Sequence, residues 1–229
     1  MTNFKIIDIE TIKLTHYPKN PMVAYREEKI KNAICYFAAE HTKRTRKPLH
    51  QTFLYKYLAF LDFESLSDTG QPVLDLKYKA MERGPVPVEI YSKRKDLKTD
   101  CFEFKELEDD KFIIIPKGRP NLEYFSSYEI QKMSRLIEIY ADVFVKASDI
   151  SEASHQSIKA WREAWKKQKN SMIDYDTQFS GDIKNKSKKE LTPPEEHYLI
   201  YKSLEEAFHW NLELYLSGII SHIRELIAK

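Results

Sequence analysis

The segment Gln51–Phe63 constrains the fold more than any other part of the chain, because its apolar stripe is unusually wide for a helix. Residues at steps of three and four form one apolar face, and two phenylalanines widen it: Leu54, Tyr57, Leu58 and Leu61, with Phe53 and Phe60. A helix of this kind must be covered by other elements. The sequence therefore predicts a fold that contains a well-buried helix here.

Three further stretches before the C-terminal region have apolar residues at helical spacing. The first runs from about Tyr25 to near Thr42. The second begins at Ser126 or Ser127, where Glu129 can complete a capping box, and continues to residue 140. A shorter helical piece is predicted over residues 148–165.

The C-terminal region opens with Thr192-Pro193-Pro194-Glu195, which has the form of a capping box with proline at the first helical position. A helix is predicted from there almost to Lys229. Its apolar residues step by three or four and form one stripe: Tyr201, Leu204, Phe208, Leu212, Tyr215, Ile219, Ile223 and Leu226. This stripe needs a partner surface, and packing against the chain's own core is favoured over a homodimer through this helix.

Extended structure is predicted at three places, one of which is the short stretch Leu76–Met81. Apolar and polar residues partly alternate over Phe4–Leu14, which indicates an N-terminal extended segment. The β-rich stretches 102–107 and 112–115, joined by a polar turn, predict a β-hairpin. Gly84-Pro85-Val86-Pro87 is interpreted as a sharp corner, followed by a short helix through Tyr91.

Together these elements predict an α+β fold that is predominantly α-helical: a compact helical domain with a small β-hairpin, an N-terminal extended segment and a long C-terminal helix. We divide the chain into the extended segment (1–25), the compact domain (26–168), a polar linker (169–191) and an amphipathic helix (192–229). The linker assignment rests on its polar composition, with Ser180-Gly181 and a lysine-rich run over 184–189.

Composition indicates a globular protein, with 42% hydrophobic residues and only five glycines. A net charge of +2 gives no global attraction to nucleic acid or to an anionic membrane. The two cysteines, Cys35 and Cys101, lie far apart, which argues against a disulfide framework and favours a cytoplasmic location. With no signal peptide and no apolar run near the roughly 20 residues that span a bilayer, we expect no membrane partner.

The familiar motifs of nucleotide binding and catalysis are absent from the sequence: GxGxxG, GxxxxGK[ST], GxSxG and HExxH. We therefore expect no cofactor and no enzymatic activity. One weak alternative is a metal-dependent enzyme using His155 and His209, since Glu152 and Glu206 each lie three residues before a histidine. A second alternative is a DNA-binding autoregulator that uses the basic stretches 43–47 and 184–189.

Several pieces of the sequence, taken in order, resemble one known family. They are the helix with Ile34, Tyr36 and Phe37, the segment Leu54–Phe60, the corner Arg83–Pro87 with Tyr91, and the segment Ile150–His155 followed by Trp161. This set resembles the Panacea domain, the SocA-like antitoxin and phage-associated domain. The resemblance covers about residues 26–165, with Tyr55, Tyr57, Met81 and Ser154 departing from the usual residues.

The resemblance implies the antitoxin of a toxin–antitoxin pair, which neutralises a protein toxin encoded nearby by direct binding, without catalysis. Within that hypothesis, four residues are predicted to flank or support the partner-binding surface: Lys56, Tyr57, Arg83 and Tyr91. A structural role is predicted for the other motif residues, which are Gly84, Pro85, Val86, His155 and Trp161. Neither a catalytic residue nor a metal ligand is assigned.

Overall fold

The computed structural model describes residues 23–227, and the side chains of residues 23–210. The extended segment predicted over Phe4–Leu14 lies outside the described residues. Within them the chain forms seven α-helices and two small antiparallel sheets. The predicted fold class, α+β and mainly helical, is therefore confirmed.

The helices are bounded as follows, in chain order: α1 Arg26–Thr45, α2 Gln51–Thr69, α3 Val88–Lys93, α4 Ser127–Tyr140, α5 Ala147–Ser157, α6 Lys159–Lys167 and α7 Pro193–Ile227. The predicted start of α4 is confirmed, because Ser126 and Glu129 form a complete capping box. The two N-terminal helices are also confirmed, although both extend further than their apolar periodicity indicates.

Helix α2 occupies the centre of the fold. Every residue from Phe53 to Phe63 is buried, and α1, α4, α5 and α7 all pack against this helix. Gly70 ends α2 with a positive φ of 81°, and the first turn of α7 approaches it so closely that a Cβ atom would collide with Tyr198. The prediction of a well-buried helix is confirmed, and its polar residues Lys56 and Asp62 are enclosed together with its apolar ones.

The larger sheet has the strand order β1–β5–β4, with β1 at Leu49–His50, β4 at Phe102–Glu106 and β5 at Phe112–Pro116. Strands β4 and β5 pair antiparallel, with Phe104 opposite Ile114. This pair is the predicted hairpin. One face of the hairpin is buried and packs against α1. It carries Phe102, Phe104, Phe112 and Ile114.

The predicted corner at Gly84–Pro87 is wrong in its geometry. These residues form strand β3, which pairs antiparallel with β2, Tyr78–Met81, through the two-residue turn Glu82-Arg83. Proline is compatible with a strand here because β3 pairs with only one strand, β2. The amide hydrogen that proline lacks would face the unpaired side of β3, so no hydrogen bond between the two strands is lost. Because prolines are uncommon in strands, the two prolines of this segment argued against a strand in the sequence.

Residues Cys35 and Cys101 form a disulfide between α1 and the residue before β4, with their Cα atoms 5.7 Å apart. The expectation against a disulfide, which rested on the separation of these two cysteines along the chain, is therefore wrong for this pair, whose members lie 66 residues apart. Their proximity is decided by the packing of the β4–β5 hairpin on α1, which spacing along the chain does not encode.

The helical piece predicted over 148–165 is two helices. The chain breaks at Ile158, whose φ of −93° and ψ of 94° are extended. The guanidinium of Arg162, in the first turns of α6, donates to the carbonyl oxygens of His155 (2.9 Å) and Gln156. These carbonyls belong to the last turn of α5, so a side chain satisfies acceptors that the broken helix leaves free.

Residues 169–191 pack against the domain rather than spanning open solvent as a linker. The amide of Ala80 donates to the carbonyl of Ser171 at 2.9 Å, and the amide of Ile173 donates to the carbonyl of Tyr78 at 2.8 Å, so this segment borders β2. Further along, Phe179 and Ile183 are buried. The apolar residues of this polar stretch are too scattered to produce a periodic signal, but they suffice to anchor it.

Helix α7 begins at the predicted capping box, where the Glu195 carboxylate accepts from the amide of Thr192 at 2.9 Å. Tyr198 and Tyr201 are buried against the domain, which confirms intramolecular packing for its first turns, whereas Leu204 is 51% exposed. The homodimer through this helix stays a prediction. Of the helices that the structure describes, none combines the length and the apolar character needed to cross a membrane.

Candidate functional site

Lys56 lies at the centre of the site. Its side chain projects from α2 into the interior, where the residue is only 1% exposed, and Nζ donates to the carbonyl oxygen of Pro85 at 3.0 Å. Among the described residues no carboxylate forms an ion pair with it. Burial disfavours the charged ammonium and lowers the pKa of Lys56 to about 7.

Gly84 allows strand β3 to approach this lysine. Its φ is 99°, and a Cβ atom at this position would lie 2.8 Å from Cε of Lys56 and 2.5 Å from Oγ of Ser154. Only a residue without a side chain fits both the backbone conformation and the space. Glycine therefore brings α2, β3 and α5 together at one point.

The α5–α6 pair completes the site. Ser154 is fully buried and donates its hydroxyl to the carbonyl of Ser151 at 2.6 Å. The His155 and Trp161 rings stack in parallel, with their centroids 3.9 Å apart, and Nε1 of Trp161 donates to the carbonyl of Met81 at 3.0 Å. The hairpin β2–β3 is thus held between α2 on one side and α5–α6 on the other.

The His155 side chain is only partly satisfied. Its Nδ1 lies 3.6 Å from a carboxylate oxygen of Glu152, whereas Nε2 is enclosed and has no hydrogen-bond partner among the described residues. Burial lowers the pKa of His155, the largest effect acting on it, so the ring is neutral at neutral pH. A neutral ring stacked on tryptophan is consistent with the predicted structural role.

The four predicted partner-binding residues separate into two interior and two surface residues. Lys56 and Tyr57 are buried, and Tyr57 stacks on Phe37 with centroids 4.8 Å apart. Arg83 is exposed in the turn between β2 and β3, and Tyr91 is half-buried beneath the guanidinium of Arg94. The structure brings Arg83 close to the Lys56 site through the hairpin. The binding roles of all four stay predictions.

Part of the chain is similar to a known protein family. Residues 54–162 match the family model described as the antitoxin SocA-like, Panacea domain. Residues 54–162 of the chain are therefore similar to the Panacea domain. No curated protein and no solved structure matches it.

The matched range encloses the site. It begins within α2 and ends at Arg162 in α6, so it includes Lys56, the β2–β3 hairpin, Ser154, His155 and Trp161. Helix α1 was part of the resemblance over residues 26–165 but lies outside the matched range. All the residues that meet around Lys56 therefore belong to the matched part of the domain.

A second buried charge lies within the matched residues, at a position that was not among the predicted site residues. Asp62 is fully buried, and its carboxylate accepts from the amides of Leu74 (2.6 Å) and Leu76 (3.2 Å) and from the hydroxyls of Tyr78 (2.9 Å) and Tyr175 (3.3 Å). Burial raises the pKa of this carboxyl group. The sequence does contain a signal for this network, which is an aspartate among the apolar residues of a helix that must be buried. A buried carboxylate needs hydrogen-bond donors inside the protein.

The two alternatives receive little support from the geometry. Within residues 23–210, no group of three or more potential metal-ligating side chains occurs, and His209 is exposed on α7. In the basic stretch 184–189, Lys184, Lys186 and Lys188 lie 2.9, 2.7 and 3.5 Å from carboxylates of Asp176, Glu195 and Glu196, so much of its charge is neutralised. DNA binding stays a prediction, since nothing in the structure tests it.

Proposed function

We propose that this chain is the antitoxin of a toxin–antitoxin pair, and that it neutralises a protein toxin by direct binding without catalysing a reaction. The observation that carries the proposal is the match of residues 54–162 to the SocA-like Panacea domain. In this proposal the pair acts in the cytoplasm, where the Cys35–Cys101 bond is expected to be reduced.

The arrangement around Lys56 supports binding rather than catalysis. The amine of Lys56 and the hydroxyl of Ser154 are enclosed, so neither can reach a substrate without opening the core. Their contacts instead hold the β2–β3 hairpin against α5, and this fixes the position of Arg83 at the surface. A rigid scaffold favours tight binding because less conformational entropy is lost when the complex forms.

The test is co-expression with the product of the neighbouring gene. That product expressed alone is expected to stop growth, and co-expression of this chain is expected to restore it. The two proteins should then co-purify and elute together in size-exclusion chromatography. A harmless neighbour, or a toxic one that this chain neither binds nor neutralises, would refute the proposal.

A further inference from the structure

The Cys35–Cys101 pair joins two parts of the chain that the family match separates. Cys35 lies in the middle of α1, which precedes the matched range, and Cys101 lies just before β4, inside that range. They are the two cysteines of the whole sequence. Their Cα atoms are 5.7 Å apart, which is a usual spacing for a disulfide. The fold therefore brings two thiols to bonding distance, and the proposed function does not use them.

Contacts that do not involve sulfur hold the same junction together. Nζ of Lys31 on α1 lies 2.8 Å from a carboxylate oxygen of Asp100, the residue before Cys101. The side-chain oxygen of Asn32, also on α1, accepts from the amide of Asn121 at 2.7 Å. Because these contacts are independent of the bond, we expect them to keep the two thiols opposite each other when the bond is reduced.

The junction also accommodates both sulfur atoms as thiols. Sγ of Cys35 lies 3.4 Å from the carbonyl oxygen of Cys101 and 3.9 Å from that of Gly118. Sγ of Cys101 lies 3.4 Å from the carbonyl oxygen of Arg119. An S–H group is a weak donor, so each thiol of the reduced protein has an acceptor within reach. The site thus suits both the reduced and the oxidised form, as a reversible bond requires.

The two sulfur atoms differ in how they can be reached from solution. Cys35 is fully enclosed among the core residues of α1, which include Phe37. Cys101 is 4% exposed, and the side chain of Asp100 before it is 81% exposed. Local opening of residues 97–101 would therefore expose Cys101, whereas Cys35 becomes accessible only if α1 leaves the core. A dissolved reagent should meet Cys101 first.

We propose that Cys35 and Cys101 form a reversible thiol–disulfide site that exchanges with low-molecular-weight disulfides such as oxidised glutathione, with Cys101 reacting first. The Cys101 thiolate attacks one sulfur of oxidised glutathione, forms a mixed disulfide and releases one glutathione thiolate. The Cys35 thiolate then attacks the Cys101 sulfur and releases the second. Two protein thiols are thereby oxidised to one disulfide, one oxidised glutathione is reduced to two thiols, and the two cysteine protons pass to the released thiolates.

This exchange couples the redox state of the pair to the fold. A disulfide between residues 66 positions apart changes the unfolding equilibrium constant by up to about a thousandfold. Because the coupling is reciprocal, folding favours formation of the bond by the same factor. Oxidation therefore locks α1 onto the β4–β5 hairpin, and a reducing thiol pool releases the lock.

The first test is the equilibrium of the wild-type full-length chain with mixtures of reduced and oxidised glutathione. Samples in native buffer and in concentrated urea are quenched with an alkylating reagent, and mass spectrometry counts the reduced and oxidised chains. The equilibrium constant for bond formation should be at least about a hundredfold larger in native buffer. A ratio within about threefold would overturn the inference, because the fold would then contribute nothing to the bond.

The second test assigns the order of attack with matched single variants. Cys35→Ser keeps only the thiol of Cys101, and Cys101→Ser keeps only that of Cys35, so both lack the bond. With excess oxidised glutathione, Cys35→Ser should gain a glutathionyl group at least about tenfold faster than Cys101→Ser. Equal rates, or faster modification of Cys35, would overturn the assigned order.

Peptide mapping of the wild type keeps this test decisive if either variant unfolds. The reduced chain is mixed briefly with excess oxidised glutathione and quenched with acid, and the glutathionyl group should be recovered on the peptide that contains Cys101. Recovery mainly on the Cys35 peptide would contradict the inference. None of these measurements involves the toxin, so they can fail while the proposed function stands, and the reverse also holds.

Discussion

The substitution Gly84→Ala tests the central claim that glycine brings three elements together around Lys56. The added Cβ atom faces two separate obstacles. The φ of 99° is unfavourable for any residue with a side chain, and the new atom would lie 2.5 Å from Oγ of Ser154 and 2.8 Å from Cε of Lys56. The backbone conformation alone costs about 1–2 kcal/mol.

The collision adds to this cost. Forcing an extra methyl group into a packed interior costs about 1–3 kcal/mol, because neighbouring atoms must shift. The lysine side chain can bend, but Ser154 is held by its hydrogen bond to Ser151 on a buried turn of α5. We therefore expect Gly84→Ala to lower the free energy of unfolding by about 2–5 kcal/mol, or the melting temperature by about 5–15 °C.

Gly181→Ala is the matched control. Gly181 also has a positive φ, 76°, but its Cβ atom would meet nothing closer than Cε of Lys186 at 3.8 Å. This variant should show the conformational cost without the collision, about 1–2 kcal/mol. The double variant Gly84→Ala with Ser154→Ala should be less destabilised than the sum of the single variants, because the closest contact is removed.

Thermal and urea unfolding, followed by circular dichroism, give the required differences. Toxin pull-down on the same samples shows whether binding is lost together with stability or separately. The reasoning is refuted if Gly84→Ala melts within about 2 °C of Gly181→Ala. It is also refuted if Gly84→Ala melts like the wild type but no longer binds, since Gly84 would then act at the interface.

Three further predictions concern buried polar groups and the disulfide. The pKa of Lys56 is lowered to about 7, so the folded state binds this proton less tightly than the unfolded state. The stability of the wild type should therefore rise relative to Lys56→Met between pH 7 and 10, with a slope approaching about 1.4 kcal/mol per pH unit. Parallel urea titrations of the two proteins measure these slopes, and identical slopes would contradict the prediction. Asp62→Asn places an amide donor against the amide of Leu74, and a loss of about 2–4 kcal/mol is expected in the same assay; a loss below about 1 kcal/mol would show that the network is dispensable. Reduction, or Cys35→Ser, should open a loop with a sequence separation of 66 residues and cost up to about 4 kcal/mol, and equal melting temperatures with and without reductant would exclude a stabilising bond to Cys101.

The local elements of this fold could be predicted from the sequence because their signals are local. The apolar stripe of α2, the Ser126–Glu129 capping box and the Thr192–Glu195 helix start each depend on residues within a few turns of one another. The β4–β5 hairpin is also recognisable, since alternation and a polar turn lie next to each other. These features required no knowledge of the rest of the chain.

The site could be only partly predicted. The sequence points to Lys56, Gly84, His155 and Trp161 as members of one motif through a family resemblance, and the structure shows that they meet. It does not reveal that Lys56 is an enclosed amine, because burial depends on what three other elements contribute. The strand at Gly84–Pro87 was hidden for the same reason: its partner, β2, decides its conformation.

By itself, therefore, the sequence determined where the described helices other than α6 begin, that α2 must be buried, and that no familiar catalytic motif is present. Only the tertiary structure decided the Cys35–Cys101 bond, the burial of Asp62 and the hydrogen bond from Lys56 to Pro85. The physical reason is distance along the chain. Propensity and periodicity act over a few residues, whereas these contacts join residues that only the packing around α2 brings together.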